Sequence, residues 1–252
     1  MKTRSCSARL TGLVAVIAAA PLSAAETHGH PHEHEIPEII VTADPLGDVD
    51  GHFLAPTTVL DGDALERESM RSIGEAVANQ LGGSSSDFGA SVGRPVIRGL
   101  GGARVRVLEN GIGTMDVSTI SADHGVSAEP LFAEQIEILR GPATLLYGSG
   151  ASGGLVNVSN ARIASELPDA AELNLYGHYD TAADEWLGAF KLDAALGRHV
   201  AVHFDGLRRD NDDVSIPGFA SLRPDPDERP GTLANSSADA HNYTGGASLI
   251  GE

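Results

Sequence analysis

A single cysteine, Cys6, stands in a chain of 252 residues. That excludes a disulfide-stapled scaffold and a multi-cysteine zinc site. Basic residues are also scarce: 17 Lys and Arg oppose 35 Asp and Glu, a formal net charge of −18. With no basic face to meet phosphate, ordinary nucleic-acid binding is excluded. The apolar run Leu10 to Ala20 is too short to span a bilayer comfortably as a helix. Yet at 41% hydrophobic residues, the chain is too apolar to be wholly disordered. Its length allows one large domain or two small ones.

The N-terminus reads as an export signal. Lys2, Arg4 and Arg9 form a positive start, Leu10 to Ala20 is the apolar stretch, Pro21 breaks it, and Ser23-Ala24-Ala25 supplies small residues for cleavage. This predicts a Sec-type signal peptide over 1–25. Cys6 lies in the charged start with no lipobox, so the mature chain has no cysteine and 14 basic residues against 35 acidic, a net charge of −21.

A leader over 26–52 follows. His28, His30, His32 and His34 alternate in it, with Glu33 and Glu35 beside them. Several neutral imidazoles on a pliable tract suit loose capture of Zn²⁺, Cu²⁺ or Ni²⁺; the plainer alternative is a solvated tail. Next come Glu38, Ile39, Ile40, Val41, Thr42 and Ala43, a β-prone hexamer between Pro37 and Pro45. Proline on both sides keeps it out of a sheet interior or a helix, so it suits strand addition to a partner's sheet edge, or alternatively an edge strand of the following domain.

Residues 53–160 are glycine-rich and mixed. A helix is expected to start at Ala64-Leu65-Glu66 and another to run from Ile73 to Leu81, ended by Gly82-Gly83. Strands are expected at Pro95 to Gly99, Arg104 to Leu108, Ile136 to Leu139 and Leu155 to Val158, with a turn at Asn110-Gly111 and a short helix at Leu131 to Glu134. Two motif matches overlap here. Gly148, Gly150 and Gly153 fit G-x-G-x-x-G, and Gly150 to Gly154 fits G-x-S-x-G around Ser152. Both motifs need a helix immediately afterwards, and a β-prone run follows instead. A dinucleotide site and a serine hydrolase are therefore disfavoured, and the glycines read as a tight turn. No catalytic residue is assigned.

Several segments together resemble the TonB-dependent outer-membrane receptors. Glu38 to Ala43 looks like the TonB box. Arg94-Pro95-Val96-Ile97-Arg98-Gly99-Leu100, Arg106 to Gly111, and Ile136 to Gly148 look like the plug-domain signatures, and Gly153 to Val158 resembles the strand that closes the plug. The likeness runs in order over about residues 38–160. It implies an α+β plug, a small mixed sheet with short helices, over 53–160. It also implies a β-barrel around the plug, a place in the outer membrane of a Gram-negative cell, and uptake driven by periplasmic TonB.

Residues 161–252 fit the start of such a barrel. Leu173, Leu175, Gly177 and Tyr179 alternate with Glu172, Asn174, Tyr176 and His178. Gly188, Phe190, Leu192, Ala194 and Leu196 do the same on a second run, and Val200, Val202, Phe204 and Gly206 on a third. Period two over such lengths suits strands with one face to lipid and one to the lumen; a soluble sandwich gives the same pattern. Tyr176, Tyr179 and Trp186 are expected near strand ends, at the membrane interface. Asn211 to His241 reads as a long, acidic extracellular loop before a fourth strand at about Tyr243 to Ile250. Four strands cannot enclose a plug, so the chain is expected to be the N-terminal part of a longer protein.

The family resemblance also suggests a cargo. Met115 to Pro130 looks like the matching stretch of the family's zinc-uptake receptors, in which an Asp-His pair of the plug helps to bind the ion. This implies Asp123 and His124 as metal ligands, zinc as the transported ion rather than a cofactor, and further ligands from the barrel; carboxylate and imidazole suit Zn²⁺. A siderophore, haem or cobalamin receptor of the same family is the alternative, and a piece that does nothing alone is another. His178, His203 and Asp205 fall on the lumen parity of their strands and read as wall residues.

Overall fold

In the computed structural model of the protein, residues 57–62, 64–65, 71–141, 147–148 and 150–251 are described. All of them fall in one compact unit, Ile39–Glu252. The export signal, the histidine tract and the Glu38–Ala43 hexamer lie outside the described residues.

Two strands with almost no exposed side chain form the centre of the first half. In β6 (Gln135–Leu139), Ile136, Glu137, Ile138 and Leu139 are buried; in β7 (Gly154–Ser159), Gly154 to Val158 are. Near-continuous β-branched and leucine side chains suit a strand covered on both faces. These two pair antiparallel, β1 (Thr57–Asp61) adds to β6, and β4 (Val105–Glu109) adds parallel to β7. β5 (Ile112–Gly113) completes the order β1-β6-β7-β4-β5. Asn110 and Gly111 both have positive φ, 49° and 78°, and close the β4–β5 hairpin as expected. The mixed sheet expected from the sequence is present, and a strand follows Ser152 where either enzyme motif needs a helix.

The two polar groups at the centre of this sheet answer one another. Glu137 stands directly opposite Asn157. Asn157 Nδ2 donates to Glu137 Oε2 at 3.2 Å, Gln135 Nε2 donates to Oε1 at 2.8 Å, and the Gly111 N–H donates to Asn157 Oδ1 at 2.9 Å. Simple alternation places Glu137 on a wet face; it is fully buried, because these donors replace water.

One face of the sheet is covered by α1 (Ile73–Ala78), whose Ile73, Ala76 and Val77 join Val107, Ile136, Ile138, Val156 and Val158 in the core. Ser72 caps the helix: its Oγ accepts from the Glu75 N–H at 3.2 Å, and Glu75 Oε2 accepts from the Arg71 N–H at 2.7 Å, a variant of the capping box. The helix stops at Ala78, three residues before the expected end. The Gln80 N–H turns to the Val77 carbonyl, and Gly82 reverses the chain at φ +73°. Gly83 opens a strand rather than ending the helix. A Cβ there would sit 1.8 Å from the Val77 carbonyl oxygen, so only glycine lets β2 (Gly83–Asp87) leave so close to α1. β2 pairs with β3 (Gly93–Ile97). Residues 64 and 65 are helical as expected. The expected helix at Leu131 to Glu134 is instead a single 3₁₀ turn, Pro130–Phe132.

The second half is a meander. β8 (Glu172–Asp180), β9 (Glu185–Leu196), β10 (Val200–Asn211) and β11 (Ala238–Leu249) lie in order, all antiparallel. β11 starts five residues before its expected position. On β9 and β10 one face is buried: Glu185, Leu187, Ala189, Ala201, His203, Asp205, Leu207, Arg209 and Asn211. The other face exposes Trp186, Phe190 and Phe204, the parity read from the sequence. Phe190 and Tyr243 close over Gly206, where a Cβ would meet both rings at 2.6 and 2.8 Å. Tyr179 and Trp186 are cross-strand partners beside the turn at 181–184, at strand ends as expected. Tyr176 is not at a strand end; it sits in mid-strand opposite Ala189. The 3₁₀ turn docks on the buried face, where Phe132 packs with Leu187, Ala189 and Leu207.

Candidate functional site

The Asp-His pair lies on a loop closed at its base by one carboxylate. Asp116 Oδ1 accepts from the Ser118 N–H at 3.0 Å and Oδ2 from the Ser127 N–H at 3.1 Å, so residues 117–126 form a cinched excursion. Burial alone would raise the Asp116 carboxyl, but these bonds outweigh it and hold it below the usual range. Within the excursion, Asp123 accepts from Ser121 Oγ and lies 2.9 Å from His124 Nδ1. The Ser121 hydrogen bond, then that of His124, lowers the Asp123 carboxyl below its ordinary value. Both side chains are about half exposed, 49% and 51%.

Asp123 and His124 are thus adjacent, oriented and open to solvent. Two ligands leave a tetrahedral zinc site half made. Among the described residues no group of three or more His, Cys, Asp or Glu is placed to hold a metal ion. The loop sits at one particular end of the molecule. Gly125 lies beside Ser91 and Val92, and Ser91 Oγ donates to Asn211 Oδ1 at 2.7 Å. Asn211 ends β10, so the pair is at the end that carries the 181–184 turn and the long 212–237 connection. In and around that connection the acidic side chains are partly committed to the loop itself. Asp213 Oδ1 accepts from the N–H groups of Ser236 and Ser237, and Glu228 Oε1 from that of Ser221.

A second polar assembly, built on residues that the sequence reads as wall residues, joins the two halves away from that loop. His203 Nδ1 lies 2.7 Å from Asp193 Oδ1 and its Nε2 lies 2.8 Å from Asp205 Oδ2. Arg162 grips Asp205 through Nε at 2.6 Å and Nη2 at 3.2 Å, and donates through Nη1 to Glu109 Oε1 at 2.7 Å. Its guanidinium also lies 5.8 Å from the centre of the Phe132 ring. Strand parity signals that His203 and Asp205 face inward. The register that sets His203 against Asp193, and the passage of Arg162, are non-local and leave no mark in the sequence. His178 has no place in this assembly; it lines a separate recess with Arg71, Leu131 and Arg209.

Between these sites, Glu129 reaches the wall. Burial pushes its carboxyl above the usual range; Arg209 Nη2 at 3.6 Å and the Leu131 N–H oppose this only in part.

Comparison with known proteins agrees with this architecture. Residues 52–155 match the family model described as the TonB-dependent Receptor Plug Domain. Solved structures with the same fold include the copper transporter OprC, at TM-score 0.57 and 19% identity over 77% of this chain and 28% of that one. The ferric yersiniabactin uptake receptor FyuA from Yersinia pestis matches at 0.56 and 18%, over 78% and 29%. The siderophore receptor PirA from Acinetobacter baumannii matches at 0.55 and 20%, over 71% and 27%. The chain spans between 22% and 29% of the length of the solved receptors it matches.

Proposed function

We propose that this chain, which carries a TonB-dependent receptor plug domain followed by four antiparallel strands, is the plug and first wall strands of an outer-membrane transporter for a metal ion or metal complex. The observation that carries this reading is the docking of Phe132 on the buried face of a sheet whose opposite face exposes Trp186, Phe190 and Phe204. A wall that packs a globular domain on one side and shows aromatics on the other suits a barrel in lipid. In that orientation the long 212–237 connection faces outside and the 197–199 turn faces the periplasm. Asp123 and His124 then lie at the outer mouth, where a cation arrives first.

An oriented carboxylate–imidazole pair suits zinc, with further ligands from the wall. The histidines at 28, 30, 32 and 34 are proposed to gather the ion again on the periplasmic side. Glu38–Ala43 is proposed to add as a strand to TonB, whose pull remodels the plug. Metal-binding titration of the whole protein and its Asp123→Ala/His124→Ala variant tests the ligand assignment. A loss of about tenfold or more in zinc affinity is expected, with uptake reduced in parallel; unchanged affinity and uptake would remove zinc from the reading.

A second reading is favoured by one feature. A cavity of about 300 Å³ between β8 and the plug is lined by Arg71, Tyr176, His178, Leu187 and Arg209. Its two guanidiniums are partnered, Arg71 by Asp180 at 2.9 Å and Arg209 by Glu129 at 3.6 Å, and an anionic metal complex of an organic ligand would share them with these carboxylates. Growth on zinc-limited against iron-limited medium, with and without the gene, separates the two.

A further inference from the structure

Two carboxylates claim the two ring nitrogens of one buried histidine. Asp193 Oδ1 is 2.7 Å from His203 Nδ1 and Asp205 Oδ2 is 2.8 Å from Nε2. A neutral imidazole has one N–H and one lone pair, so only the ring carrying both protons donates to both partners. The His203 side chain is 3% exposed and that of Asp205 0%, so on the Asp205 side no solvent stands in for a lost donor, while Asp193 is 22% exposed.

The groups around His203 come from every element packed on it. β9 supplies Asp193 and Lys191, whose Nζ is 3.8 Å from Asp193 Oδ2 and 3.6 Å from Glu134 Oε1. β10 supplies Asp205. β11 presents Gly246 directly opposite, with no titratable group. The plug side supplies Arg162, Glu109 and Glu134. Four carboxylates thus face two fixed cations, and a doubly protonated His203 would supply a third positive charge.

The chain of contacts has a direction. Asp193 and His203 belong to the wall, Arg162 lies just beyond the last plug strand, and Glu109 ends β4 inside the plug. The Arg162 carbonyl also lies so close to Gly246 that a Cβ there would meet it at 2.4 Å. The segment leaving the plug is therefore pressed against β11 and tied to β10.

We propose that Asp193, His203, Asp205, Arg162 and Glu109 form a proton-dependent latch that fastens the plug's exit segment to the barrel wall. This rests on the reading of the four strands as a wall around the plug. With His203 doubly protonated the latch is closed. When His203 gives up one of its two ring protons, one carboxylate is left facing a lone pair, Asp205 keeps only Arg162, and the exit segment loosens. Phe132 under Arg162 is unaffected by the proton and keeps the plug in register in both states.

Amide hydrogen exchange of residues 160–163 in the whole protein, held in lipid bilayers and corrected for intrinsic rates, tests this between about pH 5 and 8. Protection is expected to fall about tenfold with rising pH, the size expected for losing one charge-assisted hydrogen bond. His203→Gln is expected to be weakly protected and flat with pH. A flat wild-type profile, or a His203→Gln profile that follows the wild type, would overturn the latch. Heat-dependent gel migration is read on the same samples. If none migrates as a folded barrel, the barrel reading fails and takes the latch with it.

Discussion

The two sheets of this protein treat their faces differently. The plug sheet is covered on both sides at β6 and β7, and even its glutamate is answered by an asparagine and a glutamine. In the β8–β11 sheet, β9 and β10 bury one face against the plug and leave aromatic rings on the other. A sheet closed on both faces holds its own core. A sheet with one bare aromatic face needs a second solvent, and the barrel reading supplies lipid as that solvent. The comparison teaches where to look for stability: in the plug it is internal packing, in the wall it is the surroundings.

The largest effect should come from cutting the plug core. Ile138 is fully buried between β1 and β7. Ile138→Ala is expected to cost about 2–5 kcal/mol in plug stability, read as lost exchange protection across β6 and β7. If protection falls equally in β9 and β10, the two sheets are one cooperative unit and the contrast is broken.

Next is the outward face of the wall. Phe204 is 48% exposed. Phe204→Arg is expected to cost about 2–4 kcal/mol in a bilayer if the position lies near its midplane, measured by denaturant unfolding in vesicles. A cost within about 0.5 kcal/mol, as for an ordinary solvated site, would assign that face to water.

A smaller cost attaches to the polar pair inside the plug. Glu137→Ala removes the carboxylate that accepts from the Asn157 and Gln135 amides. About 1–3 kcal/mol is expected, and restoring an acceptor with Glu137→Gln is expected to recover part of it.

The mildest is a pH effect on the 117–126 excursion. The Asp116 carboxyl is held below its ordinary range in the folded protein, so its contribution is present above that range and lost as pH falls through the folded value. Exchange in 117–126 is expected to rise below about pH 4, and Asp116→Asn is expected to abolish that acid response.

Much of this was legible in the sequence, for physical reasons. Strong period-two patterns placed β8, β9 and β10, and dense β-branched runs placed β6 and β7. The Asn110-Gly111 pair announced its hairpin. β2 was not legible, because Gly-Ser-Ser-Ser-Asp has no strand preference of its own; it is a strand because Gly83 fits against Val77 and β3 pairs with it. The helix end was misjudged because the glycines at 82 and 83 serve the turn and the next strand, not the cap. Asp123 and His124 were legible as a pair, through a resemblance and the chemistry of their side chains. The Asp193–His203–Asp205–Arg162 assembly was not, since it depends on strand register and on a segment returning from over forty residues away.

The measurement that tests the account most directly starts from the absence of cysteine in residues 7–252, with any cysteine elsewhere in the whole protein first replaced by serine. Single cysteines at 204 and 207, on opposite faces of β10, are spin-labelled in the whole protein in bilayers. Collision with oxygen, which concentrates in lipid, is compared with collision with a water-soluble nickel reagent. The account predicts that the label at 204 meets oxygen and excludes nickel, while the label at 207, under Phe132, is shielded from both. A label at 204 that meets nickel freely and oxygen poorly would contradict it, placing the aromatic face in water and leaving the plug with no barrel wall to sit in.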